Sequence, residues 1–553
     1  MNRLKEKGYF VYLLILILTL PTFAGMLRPG IFSMQDPHLF RLFEFSRCID
    51  DWQLPCRWAP DATFGYGQPL FNFYAQASYF LGEIFHLLGF QLIDSLKLLF
   101  ILSIAGSAIS MFLLAKQMWK NSLAALLASV IYVYAPYRAL DVWVRGALPE
   151  AVSFALFPII MLYFNKFIED KKQRDLLLLS FFSALLVITH NLSAFMFGFF
   201  LLMWGGFVVV TRGNFRLIFP LIGAFIFSLL ISAFYILPLL LESQFIHFTS
   251  TTTGYFDFRA HFTTLYQLLI SRFWGYGASV FGTDDGLSLS VGQVQWIVPL
   301  IALSGLVLRK DQRLSTVGIL VFIGWLSLFL THNKSTFIWE NLSFFSFLQF
   351  PWRWFSIATF TFSLAAGSIV FLLKRFSYFF GITIVLASIV LNISFFQEDI
   401  WFVTGDQEQF SGVRFEEYTA MSRGDYWPIF AKEVPNSFAQ EIPNITEGEG
   451  GGEFLNKTSN GAQYSFNIVS QNAQVQVPIV FFPGWKAHID DQEIDIYPSG
   501  IYGLITANVS GGIYTLTLSF TNTPIRTIGN IVSLLSLLTV VLLLLKVKDK
   551  RYG

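Results

Sequence analysis

A carboxylate near the start of the chain has a position that could support chemistry. Asp36 follows the first long apolar segment, residues 8–27, and is followed by Pro37 and His38 in SMQDPHLF. A helix there would hold Asp36 at a membrane surface, where a carboxylate can act as general base toward a hydroxyl group. An Asp before Pro also often caps or turns a chain. The residue types alone leave both interpretations open.

A second group of charged residues lies between two apolar segments. PYRALDVWVRGALPE contains Arg138, Asp141, Arg145 and Glu150. Because Arg binds phosphate bidentately, this mixture at a membrane-facing mouth suits a phosphate-bearing ligand. An ion-paired loop explains the same residues equally well.

Arg353 lies between Trp352 and Trp354 in FLQFPWRWFSI, at the start of another apolar segment. The ordinary interpretation is an anchor at the membrane interface, where Trp is enriched. The functional interpretation is a clamp for a lipid phosphate. We therefore take His38, Arg138, Asp141, Arg145, Glu150 and Arg353 as the candidate substrate and lipid-phosphate ligands.

The motifs of metal and nucleotide sites do not occur in the sequence. The seven His residues form neither H-x-H nor H-E-x-x-H spacing, and there is no Walker or G-x-G-x-x-G motif. His190 and His332 are each followed by Asn at the end of an apolar segment, which is typical of capping or interfacial residues. We expect no zinc site and no nucleotide-driven chemistry. No cofactor is indicated with certainty, and dependence on a divalent metal stays open.

The composition predicts an integral membrane protein. The 553 residues are 54% hydrophobic, 18% aromatic and 13% charged, with a mean hydropathy of +0.57. A soluble domain of this composition could not cover its apolar surface. Twelve segments are apolar enough to be spans: 8–27, 94–115, 121–137, 148–165, 175–190, 192–211, 215–241, 292–308, 314–331, 353–373, 377–396 and 524–545.

The distribution of basic residues predicts the orientation. More than half of the 37 Lys and Arg residues fall in the two tails and in alternate short turns. This positive-inside pattern places both termini in the cytoplasm, and we expect a bacterial plasma membrane. The pattern holds only if 70–89 does not cross. There Asn72, Gln76, Tyr79, Glu83 and His86 share one helical face, so we predict an interfacial helix; a tilted span is the alternative.

The regions outside the spans predict three external structures. Residues 28–93 form a first loop, in which Cys48 and Cys56 can pair as a disulfide on an oxidising face, and 242–291 form another. Residues 397–523 are β-rich: from about 462, runs such as QYSFNIV and YTLTLSF alternate at period two between Gly turns. We predict a β-sandwich-like domain on the external face. The predicted fold is an all-α membrane bundle of 1–396, this domain, and a last span and cytoplasmic tail of 524–553.

The chain resembles the GT-C superfamily of membrane glycosyltransferases, through the acidic residue after the first span and the first loop. More closely, GYGQPLFNFYA, PYRALDVWVRGALPE, QFPWRW and FPGWKAHIDDQEIDIYP resemble a bacterial family of GT-C-like membrane proteins, described as 6-pyruvoyl-tetrahydropterin synthase-related. The chain lacks the His cluster of a zinc pterin synthase. The resemblance implies a polyprenyl-phosphate sugar donor, transfer to a glycan, lipid or protein acceptor on the external face, and Asp36 as catalytic base.

Two other functions remain open at this stage. A non-catalytic scaffold or glycan-binding protein of cell-envelope assembly could keep the same fold. A lipid or polysaccharide transporter would need a polar route through the bundle. The predicted span interiors carry no Asp, Glu, Lys or Arg, which argues against a coupled transporter.

Overall fold

The structure is a computed structural model that describes residues 2–33, 36–247, 252–421 and 424–546, without the side chains of 2–9, 36 and 374. The N-terminal two fifths form helices α1 (Asn2–Thr19), α2 (Asp36–Asp50), α3 (Leu70–Phe73), α4 (Ala77–Leu87), α5 (Leu92–Trp119), α6 (Ser122–Val133), α7 (Pro136–Ala139), α8 (Leu148–Asp170), α9 (Gln173–Thr189), α10 (Asn191–Arg212), α11 (Ile218–Ile231) and α12 (Ala233–Leu241). The remaining helices are α13 (Leu265–Leu269), α14 (Gln293–Arg309), α15 (Leu314–Thr331), α16 (Thr336–Asn341), α17 (Phe355–Ala366), α18 (Val370–Leu373), α19 (Ser377–Asn392), α20 (Asp406–Gln409), α21 (Gly412–Met421) and α22 (Pro524–Lys546).

Fewer helices than predicted are long enough to cross a membrane. Within the described residues, seven qualify by length and composition, or up to nine if each of two bent pairs counts as one span. The predicted segments 8–27, 175–190 and 292–308 are helical, but as Phe10–Thr22, α9 and α14 their apolar helices are shorter. At 1.5 Å per residue, the 17 residues of α9 reach about 25 Å, short of a 30 Å hydrocarbon core. The twelve-span count is not confirmed.

One of the bent pairs interrupts the bundle near the predicted charged segment. α6 and the helical segment from Pro136 to Val144 form an angle of 49°. Pro136 has no N–H to continue α6, and Leu140–Val144 then form a π turn, closed by a 2.9 Å bond from Arg145 N to Leu140 O. The break and the wider turn direct Asp141 and Arg145 toward α8. The second pair, Phe215–Ile231 with α12, bends by 78° beside Ser232.

The predicted single helix at 70–89 was wrong in its extent. The structure has α3 and α4, separated by extended residues near Tyr74. The Gln76 side chain donates to the backbone oxygens of Phe71 and Cys56, which holds the chain open at the break. On the polar face of α4, Tyr79 and Glu83 are buried and His86 is partly exposed, whereas Leu81, Ile84 and Leu87 are exposed. With 11 residues α4 cannot cross a bilayer, and its interfacial placement stays a prediction.

The C-terminal part forms one antiparallel sheet of seven strands, in place of the two sheets of a sandwich. The strands are β3 (Asn444–Glu447), β4 (Gly450–Thr458), β5 (Gly461–Val480), β6 (Trp485–Ile489), β7 (Gln492–Ile494), β8 (Ile496–Ser499) and β9 (Leu504–Phe520), after a short β1 (Ile31–Phe32) paired with β2 (Trp401–Phe402). β5 and β9 pair along their lengths, with a register shift between Ile468 and Asn472. The shift reverses which residues face the core: Phe466 is buried before it and Val475 after it.

The sheet and the first loop share one hydrophobic core. Trp58 and Phe73 of the loop pack with Trp427 and the inner face of β5 and β9. Cys48 and Cys56 form a disulfide with a Cα–Cα distance of 5.7 Å at the base of this loop. In the predicted β-rich range, the described residues before Asn444 hold β2, α20 and α21, so the seven-stranded sheet begins only at Asn444. The loop is therefore held between the helical bundle and the sheet.

Candidate functional site

The structure brings five separate elements together into one polar cluster. We call this set the charged cluster; it consists of His38 of α2, Asp141 in the π turn and Arg145 at its end, Glu150 in the first turn of α8, His190 between α9 and α10, and Arg353 in the turn before α17. These residues interact electrostatically with one another. The cluster contains five of the six predicted ligands, drawn from positions up to 315 residues apart in the chain.

Arg145 is at the centre of the charged cluster. Its Nη1 lies 2.8 Å from Asp141 Oδ1 and 2.9 Å from Glu150 Oε2. Its guanidinium lies over the Trp352 ring, 4.5 Å from the centroid. Tyr137 donates its hydroxyl to the second oxygen of Glu150 at 2.5 Å. Both Glu150 oxygens are thus occupied, whereas Asp141 Oδ2 is buried without a partner among the described residues.

Arg353 is buried and largely unsatisfied. The residue is 8% exposed, and its Nε and Nη1 have no hydrogen-bond partner in the described part of the chain. The neighbouring Trp352 and Trp354 are buried as well, so this segment does not present an anchor to lipid in the monomer. A buried guanidinium with free N–H groups is costly unless a ligand accepts from it. Arg353 is therefore the group in the cluster best placed to bind an added anion.

α2 supplies a neutral edge to the charged cluster. His38 Nδ1 lies 2.8 Å from the hydroxyl of Tyr79. Burial, together with the positive charges of Arg41, His190 and Arg145, lowers the pKa of His38 well below its usual value. His38 is thus uncharged at neutral pH. One turn further on, Arg41 stacks on the ring of Tyr74 at 4.1 Å and pairs with Asp425 at 3.7 Å.

The proposed base cannot be placed in this geometry. Asp36 is the first residue of α2, two positions before His38, but its side chain lies outside the described residues. The backbone position agrees with a helix that begins at the predicted carboxylate. Its role stays a prediction.

Arg138 is directed away from the other predicted ligands. Its guanidinium donates to Ala151 O and Ser107 Oγ, both at 3.3 Å, and lies over the Phe154 ring. These partners belong to α5 and α8, so Arg138 ties the broken span to the bundle. It contributes a positive charge behind Asp141 rather than a hydrogen bond into the cluster.

Sequence reasoning missed three members of the site. Tyr137 adjoins the predicted Arg138, and its position before a charged segment could have indicated that it belongs to the site. His190 was expected as a cap or interfacial residue; its Nδ1 contacts Ser193 Oγ at 2.7 Å, and its ring lies near enough to Glu150 to interact with it electrostatically. Arg41 is followed by ordinary α2 residues, and no sequence pattern distinguishes it. His332 does cap, since it accepts from Lys334 N at 3.1 Å.

No three His, Cys, Asp or Glu side chains come together as a metal site within 2–33, 36–247, 252–421 and 424–546. The described cluster instead holds closely spaced Arg groups, two carboxylates and two His residues, away from bulk water. Such an arrangement can bind a phosphate group and orient a polar substrate beside it.

Two solved structures resemble this chain. The arabinofuranosyltransferase AftD from Mycobacteria, determined by cryo-EM, is 16% identical with a TM-score of 0.41, over 72% of this chain and 27% of AftD. The apo oligosaccharyltransferase of Archaeoglobus fulgidus is 14% identical with a TM-score of 0.43, over 75% of this chain and 59% of that protein. The chain thus spans less than two thirds of either. A comparison with curated proteins gives no match.

One family covers more than half of the chain. Residues 71–401 match the 6-pyruvoyl-tetrahydropterin synthase related domain, described as a membrane protein. The matched range contains every member of the charged cluster except His38, and it excludes the sheet. The match confirms the family resemblance that the sequence motifs predicted. The chain belongs to the 6-pyruvoyl-tetrahydropterin synthase related family of membrane proteins.

Proposed function

We propose that this protein is a membrane glycosyltransferase that moves a sugar from a polyprenyl-phosphate donor to an acceptor hydroxyl on the external face. The observation that carries the proposal is Arg353, a buried guanidinium with two N–H groups left for a ligand, beside Arg145. A sugar-linked lipid phosphate offers such groups several acceptor oxygens. Because its lipid chain can stay in the bilayer, the phosphate can reach a site at the end of a helical bundle.

In the proposed reaction Asp36 accepts the proton of the acceptor hydroxyl. The acceptor oxygen then forms a bond to the anomeric carbon, and the bond from that carbon to the phosphate oxygen breaks. The lipid phosphate leaves with the bonding electron pair, and Arg353 and Arg145 stabilise its charge. Asp141 and Glu150 hold Arg145 in place, and neutral His38 can donate to or accept from a sugar hydroxyl.

The experiment compares the lipids bound by three forms of the full-length chain. Wild type, Asp36→Asn and Asp50→Asn are purified in mild detergent, and co-purifying lipids are identified by mass spectrometry. Asp50→Asn is the matched control, because it removes an exposed carboxylate from the opposite end of the same helix. We expect Asp36→Asn to retain a polyprenyl-phosphate sugar, and wild type and Asp50→Asn to carry less of it or its desugared form.

Two results would contradict this proposal. If the three forms carry the same sugar-linked lipid in the same amount, Asp36 is not the base. If none carries a polyprenyl phosphate, and adding lipid extract does not load one, the donor class is wrong.

A groove beside the sheet favours a second candidate, a glycan-binding protein without transferase activity. The groove has a volume of about 280 Å³ and combines aromatic rings with carboxylates, among them Phe64, Phe438, Asp61 and Glu441. Aromatic faces and acidic hydroxyl acceptors are typical of sugar recognition. This candidate predicts that Asp36→Asn leaves lipid composition and glycan binding unchanged.

A further inference from the structure

A second cavity lies at the opposite end of α8 from the charged cluster. It has a volume of about 520 Å³ and lies where α8 and α10 end and α11 begins. Lys171, Asn214 and Arg216 line it together with Phe167, Phe215 and Pro220. We call it the basic pocket. Its lining combines cationic, polar and apolar side chains.

The turn after α8 and the turn after α10 build the basic pocket. Arg212 Nη1 donates to Ile168 O at 3.4 Å, which joins the end of α10 to the end of α8. The nearby acidic residues already have partners, since Glu169 pairs with Lys120 and Asp170 with Lys172. Among the described residues, neither Lys171 nor Arg216 forms an ion pair. The two exposed cations of the pocket are therefore available to an anion.

The surface next to the basic pocket is apolar and exposed. Phe215 is 64% exposed and Phe219 76% exposed, and Ile222 continues the same face of α11 by one turn. In a chain of this membrane family such a face is typical of contact with lipid chains. Positive charge thus meets lipid-facing surface at one place.

We infer that the basic pocket binds the head group of an anionic membrane phospholipid. The phosphodiester lies against Lys171 and Arg216, and the acyl chains lie along the exposed face of α11. A free phosphate ion would gain from the cations but not from the exposed rings of Phe215 and Phe219, so these apolar side chains favour the lipid over the free ion. This site is separate from the charged cluster and does not depend on the proposed sugar transfer.

The test measures lipid selectivity of the full-length protein by native mass spectrometry. Protein in neutral detergent is mixed with equal amounts of a phosphatidylglycerol and a phosphatidylcholine of the same acyl chains. We expect wild type to retain phosphatidylglycerol preferentially. Lys171→Gln/Arg216→Gln should lose roughly tenfold or more of that preference, because each cation contributes a favourable contact to the anionic head group.

Lys310→Gln/Arg375→Gln is the matched control. Lys310 caps a helix in the left-handed conformation, as Lys171 does, and Arg375 lies in a short 3-10 turn, as Arg216 does. The control should keep the preference of wild type. The inference is overturned if wild type shows no preference, if the control loses as much as the pocket variant, or if millimolar inorganic phosphate displaces the lipid. If the double variant is not monodisperse, Lys171→Gln and Arg216→Gln are measured singly, and each must lose part of the preference.

Discussion

Arg353 is the residue whose surroundings say most about the ligand. If its free N–H groups bind the donor phosphate, Arg353→Gln removes charge-assisted hydrogen bonds worth about 1.5–3 kcal/mol, roughly a ten- to hundredfold loss of donor retention. Arg353→Lys keeps the charge without the planar fork, so its donor retention should fall between that of the protein with Arg353 and that of Arg353→Gln. The measurement is the amount of polyprenyl-phosphate sugar that co-purifies when each change is added to Asp36→Asn.

Arg259→Gln serves as the control for Arg353. Arg259 is exposed, pairs with Glu340 at 3.0 Å and lies outside the charged cluster. Retention that falls equally in both variants would show a general effect of lost charge, and unchanged retention in Arg353→Gln would remove Arg353 from the donor site.

Glu44 gives a prediction for pH dependence. Its carboxylate is fully buried in α2, accepts from Asp61 N at 3.3 Å and has no partner at Oε1 within the described residues. Burial, and then the charge of Asp61, raise the pKa of Glu44 well above its ordinary value of 4.5.

A raised folded-state pKa contributes stability below the unfolded pKa, and that contribution is lost as pH rises through the folded pKa. Glu44→Gln should therefore melt at a higher temperature than wild type, by a margin that grows from pH 5 to pH 8. A margin that stays constant or shrinks in thermal scans would contradict this assignment.

At the scale of elements, the disulfide fixes the end of α2 against the rest of the first loop. Cross-linking residues eight apart restricts the unfolded loop by about 2–3 kcal/mol. Cys48→Ala/Cys56→Ala should lower the apparent melting temperature, and a reducing agent should lower that of wild type but leave the variant unchanged. If the reducing agent lowers the melting temperature of both proteins equally, loss of the disulfide does not explain its effect.

The elements also show what a sequence can reveal about this site. The segments holding Arg145, Glu150 and Arg353 could be predicted, because each places charged side chains at the end of an apolar run. That these segments come together in one cluster could not be predicted. It depends on the break at Pro136, on a π turn that no pattern of apolar residues signals, and on the packing of Arg145 against Trp352 in the turn before α17. The split of 70–89 into α3 and α4 was hidden for the same reason, since side-chain bonds from Gln76 decide it.

At the scale of the whole molecule, a buried polar network connects the sheet to the bundle. Arg526 of α22 and Glu242, just after α12, form an ion pair at 2.9 Å with both side chains almost fully buried. Arg526 also donates to Pro483 O beside the sheet at 2.8 Å, and Asn72 of α3 donates to Glu242. Hydropathy predicted the last span and alternation predicted the strands. A contact between residues 284 positions apart left no local pattern.

This network predicts a stability effect that depends on breaking the pair. Glu242→Gln leaves the buried Arg526 charge uncompensated and should cost about 3–5 kcal/mol, as should Arg526→Met, which strands Glu242. The double variant Glu242→Gln/Arg526→Met should cost less than the sum of the two, because neither charge remains alone. The exposed pair Arg259–Glu340 is the control, and Arg259→Gln should cost no more than about 1 kcal/mol. Apparent melting temperatures of the five proteins in one detergent provide the measurement.

Since the pair joins α22 to α12 beside the sheet, limited proteolysis of the single variants should also cut first between the sheet and the bundle. Additive losses in the double variant would mean that the two residues act separately, and that the sheet is held to the bundle by its apolar contacts alone.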